Sequence, residues 1–204
     1  MTNTDCRDHD FRLETERLVL RPWREDDTDA LAAMNADPQV MRHFPGCLTP
    51  EQSRALFDRL CDKIATEGIS FMPVEEKASG AFIGFVGLNR PAFPEPVFFE
   101  PCVEIGWRLV PSAWGKGYAS EAAREWLRFG FETLRLNEIV AFTAAENERS
   151  QTVMRRLGMQ PAGRFDHPGV PPARPDLFEH VLYSLARTDW CTVQNTRQSD
   201  RGAM

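Results

Sequence analysis

Residues 111–122 read PSAWGKGYASEA. Pro111 closes an apolar segment, Gly115 and Gly117 follow in a short turn, and an apolar face at helical spacing begins at Ala119. Glycine permits positive φ and lets the backbone approach a ligand, while the first N–H groups of a helix are unpaired and carry partial positive charge. A strand, a glycine turn and a helix N-terminus in this order predict a diphosphate-binding site.

Two other phosphate-binding patterns fit this stretch poorly. A P-loop needs Lys and then Ser or Thr after its last glycine, whereas Tyr118 follows Gly117. A dinucleotide fingerprint needs a third glycine where Ser120 stands, and no βαβ half surrounds the turn. The stretch therefore requires a different explanation.

The segments on both sides of the turn fit a strand and a helix. Residues 102–110 alternate in polarity, which predicts a strand with two different faces. One face carries Val103, Ile105, Trp107 and Leu109, and the other carries Glu104, Gly106 and Arg108. After the turn, the apolar positions repeat at the period of a helix, at Ala119, Ala122, Ala123, Trp126, Leu127 and Gly130.

Further out, the pattern predicts a mixed α and β domain. The expected elements are a strand in 16–23, a helix capped by Asp26 and Asp27, a helix from Thr49 to Gly68, a hairpin of 70–75 and 81–89, a strand in 137–145, and a helix from Asn147 to Gly158. The Pro-rich stretches 91–101 and 163–175 are expected to be loops that connect strands.

Composition sets the limits of function. The chain has 204 residues, of which 42% are hydrophobic and 26% charged, so we expect one domain at 11–190 with polar tails at 1–10 and 191–204. The net charge of −6 argues against nucleic acid as a partner. No apolar run predicts a signal peptide or a membrane anchor, so we expect a cytoplasmic location. The five cysteines lack CxxC spacing, and no metal is expected.

Two ordered motifs resemble the acetyl-CoA-binding core of the GNAT superfamily of N-acetyltransferases. The signature of that family is Gln or Arg, two residues, Gly, one residue, then Gly or Ala. Here it reads Trp114, Gly115, Lys116, Gly117, Tyr118, Ala119, with Trp in the first position. That Trp, the opening LETERL at 13–18, and a second motif of NERS at 147–150 with LGM at 157–159 are similar to the branch of ribosomal-protein alanine N-acetyltransferases.

The resemblance covers residues 11–190 and implies an α+β fold. In that fold, a twisted, mostly antiparallel sheet of about seven strands is flanked by about four helices and is splayed where acetyl-CoA binds. It also implies that N–H groups from Gly115 to Ala119 hold the diphosphate, and that Leu109 and Val110 are backbone partners of the pantetheine. The implied cofactor-contacting set is completed by Trp114, Lys116, Tyr118, Asn147 and Ser150.

The chemistry of acetyl transfer indicates candidate catalytic residues. An amine attacks a thioester only when it is neutral, so a base is needed. Glu104 is the candidate, because it lies on the strand that receives the thioester; it would otherwise be an exposed carboxylate or a partner for Arg108. Ser150 would donate a hydrogen bond to the departing thiolate, or cap its helix beside Asn147. An N–H near Leu109 would stabilise the oxyanion.

The acceptor and its cleft complete the predicted site. By the resemblance, the two Pro-rich loops would edge its cleft, where His167 either binds the acceptor, relays protons or is exposed. Phe93, Phe98 and Phe99 would pack on a partner subunit, giving a homodimer, or on the loop itself. The acceptor would be a protein N-terminus or a small amine. A non-catalytic acyl-CoA sensor is the alternative function, and the presence of both Glu104 and Ser150 favours the enzyme.

Overall fold

The computed structural model describes residues 11–191. Over that range the strands are β1 Leu13–Glu14, β2 Leu18–Leu20, β3 Phe71–Glu76, β4 Ala81–Asn89, β5 Glu104–Leu109, β6 Glu138–Ala144, β7 Gln160–Asp166 and β8 Glu179–Ala186. The α-helices are α1 Asp27–Ala36, α2 Pro50–Glu67, α3 Tyr118–Arg128 and α4 Glu148–Leu157, and residues 187–191 are helical again. The tails predicted at 1–10 and 191–204 lie almost entirely outside the described residues.

All eight strands join one sheet in the order β1-β2-β3-β4-β5-β6-β8-β7. Every neighbouring pair is antiparallel except β5 with β6, so the α+β fold expected from the resemblance is confirmed. The sheet has one strand more than the seven expected. The stretch 163–175 was also expected to be a loop, but Gly163 to Asp166 belong to β7, an edge strand whose residues are mostly exposed.

Local sequence fixes the ends of the helices. The Thr49 hydroxyl accepts from the Gln52 amide at 3.2 Å, and the Gln52 side chain accepts from the Thr49 amide at 2.9 Å, which closes a capping box at the start of α2. Gly68 ends that helix at φ 73°, and Gly158 ends α4 at φ 88°. The predicted bounds of both helices are confirmed.

The helices cover the two faces of the sheet and form two cores. On one face, α3 and α4 pack with β4, β5 and β6 through residues that include Trp126, Leu127 and Ile105. On the other face, α1 and α2 pack against Trp23 and Phe85. Because successive side chains of a strand point to opposite faces, β5 gives Ile105 and Leu109 to the first core, and its even-numbered residues to the α1–α2 face.

The sheet opens between β5 and β6. These two strands are paired at a single position, Glu104 with Val140, where the Val140 amide donates to the Val103 carbonyl at 2.9 Å. On its other edge, β5 pairs with β4 throughout, and the Val110 amide donates to the Ile83 carbonyl at 3.0 Å. Antiparallel bonding alternates along a strand, so the backbone groups of Ile105, Trp107 and Leu109 face the gap beside β6.

Candidate active site

A cleft of about 1210 Å³ begins at the gap between β5 and β6. Its walls come from β5, the glycine turn before α3 and the start of α4, with further residues from α2 and from the segment 42–45. The far side is formed by Phe142 on β6 and by His167 and His180. A cleft of this volume is large enough for a coenzyme and an acceptor together.

The glycine turn leaves backbone donors at the mouth of this cleft. Gly115 and Gly117 have φ of 74° and 82°, in the left-handed region that disfavours other residues. A Cβ at Gly115 would meet no atom within 4 Å, so nothing fills the space beside the turn. The first helical bond of α3 runs from the Glu121 amide to the Gly117 carbonyl, and the amides of Tyr118, Ala119 and Ser120 therefore lack helical acceptors.

Side chains from the β1–β2 turn hold this glycine turn in place. The Arg17 guanidinium donates to the Lys116 carbonyl at 3.1 Å and to the Glu121 carboxylate at 2.7 Å. The Thr15 hydroxyl donates to the same carboxylate at 2.6 Å. Sequence reasoning did not assign these residues a role, because they lie about one hundred positions from the turn. The only signal was the resemblance of the opening 13–18.

Tyr118 lines the cleft, but its hydroxyl is already used. That hydroxyl donates a short hydrogen bond to the Glu76 carboxylate, and the Arg17 guanidinium lies 4.5 Å from the ring centroid. Tyr118 is buried, as is expected of a side chain that holds the turn against the sheet. Its phenol is therefore directed at β3 rather than at the centre of the cleft.

The end of β5 offers fewer free backbone groups than expected. The Trp114 indole donates to the Leu109 carbonyl at 2.8 Å, which leaves the Leu109 amide facing the gap. Val110 was also expected to pair with the pantetheine, but its amide donates to Ile83 and its carbonyl accepts from Ala113 at 3.0 Å. Since both backbone groups of Val110 are engaged, the Leu109 amide is the backbone donor that faces the gap at this position.

Glu104 borders the cleft at the closed end of the gap. Its carboxylate accepts from the Asn89 side chain at 2.6 Å. Protein atoms surround the carboxylate on the sides away from the cleft, and this burial raises its pKa to about 7, although the Asn89 hydrogen bond and the charge of Lys63 act in the opposite direction. Glu104 forms no ion pair with Arg108, whose guanidinium instead donates to the side-chain oxygen Oδ1 of Asn35 at 2.7 Å.

Ser150 lies across the gap from β5. Its hydroxyl oxygen accepts from the Asn147 amide group at 3.1 Å and from the Trp107 indole at 3.3 Å. The side-chain oxygen Oδ1 of Asn147 caps α4 by accepting from the Ser150 backbone amide at 3.3 Å. Asn147 therefore caps the helix. The Ser150 oxygen accepts two hydrogen bonds, and its own O–H can still donate to another acceptor.

Two histidines and several phenylalanines form the far side of the cleft. The rings of His167 and His180 are 4.7 Å apart, and burial lowers the pKa of both, that of His180 to about 4. Phe93 and Phe99 pack on Phe142, so this loop lies against its own sheet. Phe98 is 67% exposed, and a homodimer stays a prediction.

Residues 11–191 contain neither a cluster of metal-ligating side chains nor a helix able to cross a membrane. In that range, no group of three or more His, Cys, Asp or Glu side chains could hold a metal ion. No helix of the same range has the length and apolar character that crossing a membrane requires.

The sequence of this chain is similar to those of acetyltransferases. The model of a family described as acetyltransferase (GNAT) domain matches residues 17–160. A Bacillus subtilis protein named Uncharacterized N-acetyltransferase YnaD is 29% identical over 181 residues, which are 88% of this chain and 99% of that protein. FsC-acetyl coenzyme A-N(2)-transacetylase of Aspergillus fumigatus is 32% identical over 188 residues, which are 89% of this chain and 79% of that enzyme.

Solved structures share the fold. A Bacillus anthracis acetyltransferase of the GNAT family superposes with a TM-score of 0.71 and 27% identity, over 87% of this chain and 99% of that one. Ribosomal-protein-S5-alanine acetyltransferase from Vibrio fischeri superposes with a TM-score of 0.63 over 89% of this chain and 99% of that one. At 21% identity, the second likeness shows the fold alone.

Proposed function

Because this chain belongs to the GNAT family of acetyl-CoA-dependent N-acetyltransferases, we propose that its cleft transfers the acetyl group directly to a primary amine, with Glu104 as the base. The observation that carries the proposal is the position of Glu104. Its carboxylate borders the cleft where β5 and β6 begin to diverge, and its pKa of about 7 suits proton transfer near neutral pH.

Acetyl-CoA fits the donor groups that surround the gap. The N–H groups at the start of α3 and the open space beside Gly115 suit a diphosphate, with Lys116 beside it to add positive charge. The pantetheine would lie along the free edge of β5, where the Leu109 amide points away from β4. Trp114 would fix the position of that strand end. Asn147 and Ser150 would face it from α4.

The residues of the cleft then have separate tasks in the transfer. The amine nitrogen forms a bond to the thioester carbon, and the excess proton of the amine passes to Glu104, directly or through one water. The carbon–sulfur bond breaks as the tetrahedral intermediate collapses. The Ser150 hydroxyl donates a hydrogen bond to the departing sulfur, while solvent supplies the proton of the released thiol. An N–H near Leu109 would stabilise the oxyanion.

The acceptor would be a small amine or the N-terminus of a protein. One relative is named as an N(2)-transacetylase, which supports an amine as the acceptor. The formal charge of −6 is compatible with a cationic amine approaching the cleft.

A thiol-release screen tests the proposal. Purified protein and acetyl-CoA are supplied with peptides that begin with Ala or Ser, and with a panel of small amines. Amine-dependent thiol release that falls in the Glu104→Gln variant supports the assignment. If calorimetry shows that acetyl-CoA binds but no amine releases thiol, the chain is a non-catalytic acyl-CoA sensor instead.

A further inference from the structure

Arg108 is a cation of the cleft wall that has no carboxylate partner among residues 11–191. Its Nη1 donates to the neutral Asn35 side chain at 2.7 Å. The guanidinium carbon lies 4.0 Å from the ring centroid of Phe44 and 5.1 Å from that of Phe85. Its Nε is buried without a hydrogen-bond partner, and no described residue accepts from Nη2.

A guanidinium in this setting favours an anion from outside the protein. Removing the charge from water costs free energy that two aromatic rings and one amide oxygen only partly offset. This burial lowers the Arg108 pKa to about 10. The group remains charged at neutral pH. Nε and Nη2 form one edge of the guanidinium, which is the edge that binds a carboxylate with two parallel hydrogen bonds.

Glu104 lies on the same face of β5, at a fixed distance from Arg108. Arg108 lies over its cross-strand neighbour Phe85, and Glu104 is bonded to its cross-strand neighbour Asn89. These pairs are four residues apart along the sheet, which corresponds to about 13 Å between the Cα atoms of Glu104 and Arg108. The two charged groups therefore face different parts of the cleft.

An apolar floor separates them. The pair halfway between is Gly87 with Gly106, which has no side chains of its own. The ring of Phe71 lies over it, so close that a Cβ at Gly106 would be 2.8 Å from a ring carbon. Phe71, Arg108 and Glu104 all line the cleft. The row thus runs from a cation, across an aromatic ring, to a carboxylate.

We propose that Arg108 binds a carboxylate of the acceptor, and that the acceptor is an ω-amino acid whose aliphatic spacer lies across Phe71. This inference rests on the proposed function, because it places the amine at Glu104. An α-amine carried by the same carbon as its carboxylate cannot reach both groups. A primary amine several bonds away from the carboxylate can do so, and it leaves no buried charge unpaired at either end.

The first test needs only the wild-type protein. Glycine, β-alanine, 4-aminobutyrate and 6-aminohexanoate are each compared with the corresponding carboxamide in the thiol-release assay. We expect kcat/KM to favour the longer acids over their carboxamides by on the order of 10- to 100-fold, the range of charge-assisted hydrogen bonds. Equal use of acid and carboxamide at every chain length would overturn the assignment.

The second test replaces the cation. Arg108→Met should raise KM for the longer acids until acid and carboxamide are used equally, with a smaller change in KM for the carboxamides. Arg59→Met is the matched control, because Arg59 lines the same cleft but is exposed on α2. It should keep the preference for the acids. Loss of acid and carboxamide activity in equal proportion in Arg108→Met would show a purely structural role. If that variant does not fold, Arg108→Lys keeps the charge and should reduce the preference.

A binding measurement distinguishes failure of the carboxylate site from failure of the proposed function. If no amine releases thiol, the acids and carboxamides are titrated by calorimetry into protein saturated with coenzyme A. Tighter binding of the longer acids that disappears in Arg108→Met supports the carboxylate site without any catalysis. Equal binding of both series, or no binding of either, overturns it.

Discussion

Replacing Glu104 by Gln tests both the chemistry and the energetics of the cleft. The isosteric amide keeps an oxygen for the Asn89 hydrogen bond but cannot accept the proton of an amine. We expect kcat to fall by about 10²- to 10⁴-fold, the usual contribution of a positioned base. In the wild type, kcat/KM should rise with pH through an inflection near the Glu104 pKa of about 7, and the variant should lack this inflection.

The same substitution should change stability in a pH-dependent way. The folded-state pKa of Glu104 is raised from 4.5 to about 7, so the folded state binds more protons than the unfolded state between these values. Its contribution to stability is therefore most favourable below pH 4.5 and is lost as the pH rises through 7. The shift corresponds to an upper bound of about 3 kcal/mol. Because the carboxylate borders water in the cleft, we expect about 1 to 2 kcal/mol.

Urea denaturation at pH 5 and pH 8 measures this difference. Glu104→Gln should be more stable than the wild type at pH 8, and its advantage should shrink or vanish at pH 5. Glu138→Gln is the matched control, because Glu138 is an exposed strand carboxylate outside the cleft, and it should change neither rate nor pH dependence. A Glu104→Gln variant with wild-type rate at every pH, and with a stability difference that does not vary with pH, would refute the reasoning.

Three further substitutions test the cofactor site. Gly117→Val places a β-branched residue at φ 82°, so it should lower the free energy of unfolding by about 1 to 2 kcal/mol and weaken acetyl-CoA binding in calorimetry. The control is Gly80→Val, at φ 68° in the hairpin turn, which should lower stability by a similar amount and leave acetyl-CoA binding unchanged. Ser150→Ala should lower kcat by about tenfold with little change in acetyl-CoA affinity, because one hydrogen bond to the leaving sulfur is lost; a weakened affinity with unchanged kcat would contradict this. Arg17→Met should raise the Kd of acetyl-CoA, because the hydrogen bond that holds the Lys116 carbonyl is lost, while KM for the amine stays constant. The control is Arg12→Met, which replaces an exposed arginine near Arg17 in the sequence and should leave the Kd of acetyl-CoA unchanged.

Features that depend on local chemistry could be predicted from the sequence. The capping box at Thr49 and the left-handed glycines at positions 68 and 158 set the helix ends, because each acts within one turn of the chain. The glycine turn before α3 and the alternation in β5 were predictable for the same reason. The family resemblance then supplied the arrangement of these elements.

Features that depend on register or on distant contacts could not be predicted. β1 has two residues and β7 is mostly exposed, so neither has an apolar period that a sequence pattern could reveal. The bond from Arg17 to Glu121 joins residues 104 positions apart. The sequence left open whether Glu104 pairs with Arg108, because the answer depends on the cross-strand neighbours of β5, and these are fixed only once β4 has its register.

The single paired position between β5 and β6 has a consequence for the cooperativity of the whole protein. Since main-chain bonding is continuous on each side of this seam, the sheet consists of two arms, β1 to β5 and β6 to β8, which are held together there at one position. A coenzyme lying along the seam would supply main-chain partners to the first arm and contacts to the second. Ligand saturation at about 100 times Kd adds about 2.7 kcal/mol to a folded state, and here that gain would be concentrated at the boundary between the arms. The bound coenzyme would then also connect the two arms of the sheet and make them unfold together.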